Sequence, residues 1–297
     1  MTKPLSSLQI IAIHYLNARR VAAERLPLAA YEASGVYGRA GIPYTVAAPE
    51  LPEARRMAEE TDSLGLLGGE VATAVAQARR EGKGILMAGG NCCHITGIFG
   101  GLQDAHGPDL KIGLVWFDAH GDFNTRHTTL SGMLGGMPVA VCAGLTYPRW
   151  RELSHIVAPL PTDRIVMVDV RNLDAPEEQL IRATDVTIAR VAEGRPGDVA
   201  LSTAVTDLAA RVDLIYCHID SDILDESYTP NHWTKEPDGP DMAQVQAAMD
   251  TVFATGKVGV FAVVSVFGGG AGEEIAIQSG IDLIGHGLER WAKYGRA

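Results

Sequence analysis

The chain contains 297 residues, of which 46% are hydrophobic, and its formal net charge at pH 7 is −11. The negative charge argues against a nucleic-acid partner and against binding to anionic membrane surfaces, but it would attract a small cationic substrate. The length and apolar fraction suffice for a large core, and no Pro-, Ser- or Gly-rich linker divides the chain, so we predict a single domain over residues 1–297.

Targeting and redox features add further exclusions. No run of about 18 apolar residues is present that could form a transmembrane helix. The N-terminal segment lacks the long apolar region and the cleavage site of a signal peptide. Four cysteines, two of them adjacent, are a poor disulfide framework. We therefore expect a cytoplasmic protein without membrane association.

Six apolar runs are predicted to be strands, and in chain order they occupy residues 10–16, 84–91, 111–120, 164–172, 213–222 and 258–270. Each run is apolar throughout rather than alternating, which is typical of strands buried on both faces of a parallel sheet. Segments with helical spacing lie between and after them, at 68–83, 174–184, 239–257 and 272–295. The alternation predicts an α/β fold, a three-layer αβα sandwich with a mostly parallel, doubly wound sheet.

Polar clusters begin where four of these runs stop. They read "GGNCCH" (89–94), "DAHGD" (118–122), "VRNLD" (170–174) and "DSD" (220–222). In open α/β sheets, ligands bind outside the carboxyl ends of the strands. We therefore expect the four clusters to converge at one edge of the sheet.

Two of the clusters have a spacing typical of metal ligands. Asp118, His120 and Asp122 lie two residues apart, and side chains at that spacing in an extended segment project to the same side. Asp220 and Asp222 repeat the pattern. Turn formation or helix capping would explain one such motif, but four buried carboxylates would repel one another unless cations lay among them. The set favours two divalent ions, for which we expect Mn²⁺, and such a pair lowers the pKa of a shared water, which indicates hydrolysis.

The motifs "GGN", "DAHGDFNT" and "DSDILDESYTP" resemble, in this order, those of the arginase/agmatinase (ureohydrolase) family, which run Gly-Gly-Asp-His, Asp-Ala-His-x-Asp and Asp-x-Asp-x-x-Asp-Pro. The resemblance spans residues 84 to 270, approximately, and implies an arginase-like fold in a single ureohydrolase-like domain, a dimanganese centre, a small guanidino substrate and a homo-oligomer. The ligands it implies are Cys92, Asp118, His120, Asp122, Asp220 and Asp222. Asp118 and Asp220 would bridge both ions, with Asp122 at one ion and His120 and Asp222 at the other. His120 and Asp122 are the expected catalytic residues, and Asp122 would steer the nucleophile.

Cys92 departs from the family pattern, because the aligned residue of the family is a histidine. A thiolate is a softer ligand than imidazole, so Zn²⁺, Fe²⁺ or Co²⁺ become alternatives to Mn²⁺. His94, two residues later, is an alternative ligand. We expect Cys93 to pack behind the loop, since the adjacent cysteines lack the Cys-x-x-Cys spacing of a redox pair.

The resemblance also implies how the amino-acid end of a substrate would bind. Asn124 and Ser131 align with residues that hold the α-carboxylate, and Asp174 and Glu177 with residues that recognise the α-ammonium group. Thr234 aligns with a threonine of the substrate pocket. These matches favour an α-amino acid over agmatine. Without the resemblance, Asn124 and Ser131 would be ordinary loop residues, and Asp174 would be a plausible N-cap of the following helix.

Two further departures concern the guanidino end and proton transfer. Gly135 aligns with the family's proton-shuttle histidine, for which His127 and His232 are the nearby substitutes, unless they have surface or packing roles. Ser265 aligns with a glutamate that pairs with the guanidinium, and losing that carboxylate weakens binding of a cation more than of a less basic N-hydroxyguanidine.

We therefore predict a dimetal hydrolase that cleaves a guanidino-type C–N bond of N-hydroxy-L-arginine or L-arginine, giving urea or hydroxyurea and ornithine. The cysteine at the first metal position favours the branch that resembles N(omega)-hydroxy-L-arginine amidinohydrolases. One alternative is a diverged member acting on another amidine or amide, and another is an inactive metal-binding homologue. A single-zinc deacetylase-like enzyme would need a tandem histidine, which the sequence lacks.

Overall fold

The computed structural model describes residues 5–295, and a parallel sheet lies at its centre. In chain order the strands are β1 (Leu8–Ile13), β2 (Tyr15–Leu16), β3 (Arg19–Arg20), β4 (Tyr44–Ala47), β5 (Gly84–Gly89), β6 (Ile112–Phe117), β7 (Ile165–Val168), β8 (Thr187–Arg190), β9 (Val199–Ala200), β10 (Leu214–Asp220) and β11 (Val258–Val264). Within the described residues, nine of them form the central sheet, in the order β4-β1-β5-β11-β10-β6-β7-β8-β9. Every neighbouring pair in the sheet is parallel. β2 and β3 form a separate antiparallel ribbon.

Helices cover both faces of this sheet. In chain order they are α1 (Leu28–Ser34), α2 (Glu60–Arg80), α3 (Ile95–His106), α4 (Pro138–Cys142), α5 (Pro148–Leu153), α6 (Ala175–Arg182), α7 (Leu201–Arg211), α8 (Met242–Phe253) and α9 (Glu273–Tyr294). Consecutive residues of one strand enter different cores. In β5, Leu86 packs in the core that includes α7, α8 and α9, whereas Ile85 packs in the core that includes α2 and α3. The predicted three-layer αβα sandwich is confirmed.

All six predicted strands are present, but the run at 10–16 is divided, because β1 ends at Ile13 and β2 belongs to the antiparallel ribbon. The strands of the central sheet that the sequence did not indicate lie toward its edges. β4, β8 and β9 are short, and β4 is largely exposed, so none has the continuous apolar run of a central strand. The run at 258–270 was predicted too long, because β11 ends at Val264 and the next residue, Ser265, has φ +57°. That left-handed conformation turns the chain out of the sheet.

The four polar clusters follow strands that lie close together. β5, β11, β10, β6 and β7 are consecutive in the sheet, and since they are parallel their carboxyl ends share one edge. The cluster at 89–94 follows β5, that at 118–122 follows β6, that at 170–174 follows β7, and that at 220–222 begins in the last residue of β10. The predicted convergence is confirmed, and it occurs at a crevice where the chain changes direction across the sheet.

Candidate metal centre and substrate pocket

Among the described residues 5–295, three overlapping groups of side chains could each hold a cation. They are Cys92 with Asp118 and Asp122, Asp118 with His120 and Asp222, and Asp220 with Asp222 and His232, and within each group the candidate ligand atoms all lie within 4.8 Å of one another. The groups contain all six residues that the sequence predicted as ligands. They also contain His232, which we did not predict as a ligand.

The carboxylates of this cluster are buried and crowd one another. Burial, reinforced by neighbouring carboxylates, raises the pKa of Asp118 and of Asp122 well above their usual values. Burial and Asp222 raise the pKa of Asp220 to about 6. Burial acts the same way on Asp222, but hydrogen bonding to His120 outweighs it and lowers the pKa of Asp222. Burying this much negative charge is costly unless cations lie among the carboxylates. Divalent transition metals bind oxygen, nitrogen and sulfur donors, all of which are present here, so these residues fit a pair of such ions.

Two glycines before Cys92 direct its side chain toward the carboxylate cluster. Gly89 and Gly90 both have positive φ, and a Cβ on Gly90 would lie 2.7 Å from Nδ1 of His94. The chain therefore turns sharply after β5, and a 3₁₀ turn over Cys92–His94 leads into α3. The Cys92 thiol donates to Oδ2 of Asp220 at 2.9 Å. Burial, with the nearby Asp220 carboxylate, raises the pKa of this thiol.

The two neighbours of Cys92 point elsewhere. Both ring nitrogens of His94 contact backbone oxygens, Nδ1 that of Asn91 at 2.9 Å and Nε2 that of Asn17 at 3.0 Å. Cys93 packs in a small core that includes Trp150, as expected for a residue behind the loop. All four cysteines, which lie within the described residues 5–295, are buried and unpaired. The geometry favours Cys92 over His94 as the candidate ligand.

Changing each adjacent thiol in turn separates these roles. We expect Cys92→Ser to abolish the sulfur-to-metal charge-transfer absorption that Co²⁺ would produce on binding, because the thiolate is the donor of that transition. Cys93→Ser is the matched control and should retain the band. The absorption spectrum of the Co²⁺-titrated proteins is the measurement, and an unchanged band in Cys92→Ser would contradict the assignment.

A buried histidine behind Cys92 was missed by the sequence reading. His218 lies within β10, and its Nε2 is 3.4 Å from the Cys92 sulfur. Its ring stacks on Trp116 with centroids 4.0 Å apart, and its Nδ1 is 2.9 Å from the Tyr216 hydroxyl. Burial lowers the pKa of His218 to about 3, so the ring is neutral near pH 7. Because His218 lies within an apolar strand, its sequence context is that of an ordinary core residue, which is why the sequence did not indicate it.

His120 is held by an acid that the sequence reading also missed. Nδ1 of His120 lies 3.2 Å from both Asp118 and Asp222, whereas Nε2 lies 3.1 Å from Oε1 of Glu236. Burial opposes the charged ring, but these carboxylates raise the pKa of His120. Asn172 donates to both oxygens of Glu236 at 3.1 Å. An Nε2–H donated to Glu236 would leave Nδ1 to face the centre, the arrangement usual for metal-binding histidines.

The residues predicted to bind substrate line the same cavity as the candidate ligands. This cavity has a volume of about 310 Å³, and its walls include Asn124, Ser131, Asp174, Glu177 and Thr234. Gly135 and Ser265 line it as well. His127 lies outside this lining, on an exposed part of the loop.

Hydrogen bonds hold the side chains of Asp174 and Glu177 in defined positions at the cavity. Asp174 occupies the N-cap position of α6, but its carboxylate accepts hydrogen bonds from Asn124 at 3.3 Å and from the Leu130 amide at 3.2 Å. Glu177 accepts from the Phe123 amide at 2.8 Å. The N-cap interpretation of Asp174 therefore describes its backbone, while its side chain is directed toward the loop that contains Asn124 and Leu130.

An apolar lip borders the cavity. Trp233 is 59% exposed and stacks on Phe267, with ring centroids 4.9 Å apart and planes 3° from parallel. Met133, which is 52% exposed, also lines the cavity.

The Ser265 hydroxyl donates to Asp220. The position that aligns with the family's guanidinium-binding glutamate therefore carries a neutral group committed to a candidate metal ligand.

Within residues 5–295, none of the helices combines the length and the hydropathy that crossing a membrane requires.

Comparisons with known proteins agree with the resemblance seen in the sequence. The arginase family model matches residues 53–267. The arginase of Bacillus caldovelox is 29% identical over 183 residues, which cover 61% of this chain and 60% of that protein. The N(omega)-hydroxy-L-arginine amidinohydrolase of Streptomyces lavendulae is 32% identical over 194 residues, 64% of this chain and 65% of that protein. The matches therefore span less than two thirds of these relatives.

The crystal structure of Bacillus subtilis arginase superposes with a TM-score of 0.79 at 20% identity, covering 96% of this chain and 98% of that one, which shows the shared fold. This chain belongs to the arginase family.

Proposed function

We propose that this protein is a metal-dependent hydrolase that cleaves a guanidino-type C–N bond of an arginine-like amino acid, releasing urea or hydroxyurea and ornithine. The observation that carries the proposal is that the candidate metal ligands and the side chains expected to hold an α-amino acid line one cavity of about 310 Å³. Two relatives named for these activities support it.

The proposed centre holds two divalent ions. Asp118 and Asp220 would be shared between them, Cys92 and Asp122 would serve one ion, and His120 and Asp222 the other. Such ions supply Lewis acidity and lower the pKa of water. Asp122 is buried at the cavity wall with φ +46°, and we assign it the orientation of the attacking water by accepting a hydrogen bond.

The amino-acid end of the substrate would be held by the loop after β6 and the start of α6. Asn124 and Ser131 can donate to the α-carboxylate, and Asp174 can accept from the α-ammonium group. Glu177 already accepts from a backbone amide, so its remaining oxygen would complete the ammonium site. These contacts would place the guanidino carbon toward the carboxylate cluster.

Asp174→Asn should isolate the recognition of the α-ammonium group. We expect KM for L-arginine or N-hydroxy-L-arginine to rise about 10- to 100-fold with little change in kcat, because hydrogen bonds to charged groups are worth about 1.5–3 kcal/mol and this one is made equally in the ground and transition states. Asparagine retains an acceptor for the Leu130 amide. Steady-state kinetics should show no such effect for 5-guanidinopentanoate, which lacks the amino group, and an equal effect on both substrates would refute the role.

The preferred substrate is proposed to be N-hydroxy-L-arginine. Ser265 provides no negative charge for a guanidinium, so a less basic N-hydroxyguanidine loses less binding energy than arginine does. The metal is proposed to be Mn²⁺. If the Cys92 thiolate coordinates the metal, the softer sulfur ligand favours Co²⁺, Zn²⁺ or Fe²⁺ instead.

Three further features are proposals that rest on the family resemblance and composition. They are a single domain over residues 1–297, a homo-oligomeric assembly and a cytoplasmic location. Light scattering coupled to size-exclusion chromatography tests the assembly, and a monomer at micromolar concentration would contradict it.

One experiment tests the proposed function directly. The purified protein is loaded with Mn²⁺ or Co²⁺, its metal content is measured, and L-arginine, N-hydroxy-L-arginine and agmatine are assayed side by side. We expect turnover of the amino acids, with N-hydroxy-L-arginine preferred, and little turnover of agmatine. Absence of turnover of all three with two ions bound per chain would overturn the proposal.

A further inference from the structure

His232 lies on the loop after β10 and projects into the candidate metal centre. Its side chain is 7% exposed, and its Nε2 is 3.8 Å from Oδ1 of Asp220. Among the described residues 5–295, this buried nitrogen has no hydrogen-bond partner. Buried polar atoms in native proteins nearly always have a hydrogen-bond partner or a bound ligand, so the unpartnered Nε2 indicates that a ligand binds there.

The other ring nitrogen determines which tautomer is present. Nδ1 of His232 is 2.7 Å from the carbonyl oxygen of Thr234, and this contact is shorter than those with the Thr234 hydroxyl at 3.0 Å and the Thr234 amide at 3.2 Å. The carbonyl oxygen can only accept a hydrogen bond, so we assign the hydrogen to Nδ1, which leaves the lone pair on Nε2. Metal-binding histidines usually donate their second N–H to a carbonyl or carboxylate in this way.

The distances to the neighbouring carboxylates fit a common ion. A separation of 3.8 Å between Nε2 and Asp220 is too long for a hydrogen bond. Two ligand atoms that each lie about 2.0–2.2 Å from one metal are up to about 4.4 Å apart, so the separation suits co-ligation. Asp222 belongs to the same group, and the Thr234 hydroxyl donates to Asp222 at 3.3 Å, which ties the loop to that ligand.

We infer that His232 is an additional metal ligand, acting with Asp220 and Asp222 at the ion that His120 also faces. The inference rests on the proposed metal centre, and it adds to that centre a residue that lies between two aligned positions, Pro230 and Thr234, and is not itself one of the ligands that the resemblance implies. Its consequence is a donor set with two imidazoles and a thiolate, which shifts the preference of the centre from Mn²⁺ toward Co²⁺ or Zn²⁺.

The test measures metal binding without substrate. Metal-free wild type, His232→Gln and His232→Asp are titrated with Co²⁺, and bound metal is counted by elemental analysis. We expect His232→Gln to bind the second Co²⁺ at least about 10-fold more weakly, because loss of a partner one shell further out already costs about 10- to 100-fold. His232→Asp should recover much of this affinity, since it supplies another ligand. His155→Gln, which changes an exposed histidine paired with Asp104, is the matched control and should bind as wild type does.

Pulsed electron paramagnetic resonance of the Mn²⁺-loaded proteins gives an independent readout. We expect nitrogen couplings from two imidazoles in the wild type and from one in His232→Gln. Thermal unfolding of the metal-free variants verifies that they fold. Unchanged Co²⁺ affinity and unchanged nitrogen couplings in folded His232→Gln would overturn the inference, even if the enzyme hydrolyses guanidino substrates. Histidine-dependent binding of two ions without turnover would uphold the inference and refute only the proposed function.

Discussion

Asp118→Asn is expected to reduce hydrolysis by about 10²–10⁴-fold, because metal-supplied charge stabilisation is worth several kcal/mol and each ~1.4 kcal/mol is a factor of ten in rate. Asp118 belongs to two of the three ligand groups, so its loss affects both proposed ions. The same substitution should raise the free energy of unfolding of the metal-free protein by up to about 4 kcal/mol, the scale of one pair of like charges about 4 Å apart in a partly screened interior.

A loss of hydrolysis together with a gain in stability of the metal-free protein distinguishes a metal site from ordinary packing. Steady-state assays measure the hydrolysis, and chemical unfolding with and without Mn²⁺ measures the stability. We expect the metal-induced stabilisation of wild type to be largely lost in the variant. Asp109→Asn, on an exposed loop before β6, is the matched control and should change neither quantity. An Asp118→Asn protein that is destabilised without metal and still gains full stability from Mn²⁺ would contradict the proposed role.

Ser265→Glu is expected to shift substrate preference toward L-arginine. A carboxylate at this wall of the cavity could pair with a guanidinium, and hydrogen bonds to charged groups contribute about 1.5–3 kcal/mol, so the ratio of kcat/KM for L-arginine over N-hydroxy-L-arginine should rise about 10- to 100-fold. Steady-state kinetics with both substrates provides the ratio.

Ser265→Gln is the matched control for this change. Ser265 has φ +57° and its hydroxyl contacts Asp220, so both substitutions introduce a longer side chain at the same strained position and lose the same hydrogen bond. They differ in charge. If glutamine shifts the preference as much as glutamate does, the negative charge at position 265 does not determine the substrate preference.

Residues that are close in sequence were the most predictable part of the site. Asp118, His120 and Asp122 sit directly after β6, and Asp220 and Asp222 follow the same pattern at the end of β10, so strand periodicity was enough to place them on one edge. The glycines before Cys92 likewise mark a turn whose need for positive φ is local.

Residues that act across large separations could not be placed in this way. Glu236 contacts His120 across 116 residues of sequence, and His218 contacts Cys92 across 126. No local pattern links either pair. His232 was considered as a possible proton carrier, but the direction of its free nitrogen depends on how the loop after β10 packs against Asp220.

The sequence by itself determined the αβα class, the order of the central strands along the chain, and the acidic motifs at their ends, because burial on two faces and a spacing of two residues are local properties. Tertiary structure decided which side chains face the cavity: it turned Cys92 inward and His94 toward backbone oxygens, brought Glu236 to His120, and directed His232 at Asp220. The physical reason is that the crossover connections of a parallel sheet bring distant loops to one edge, and only their packing sets the direction of each side chain.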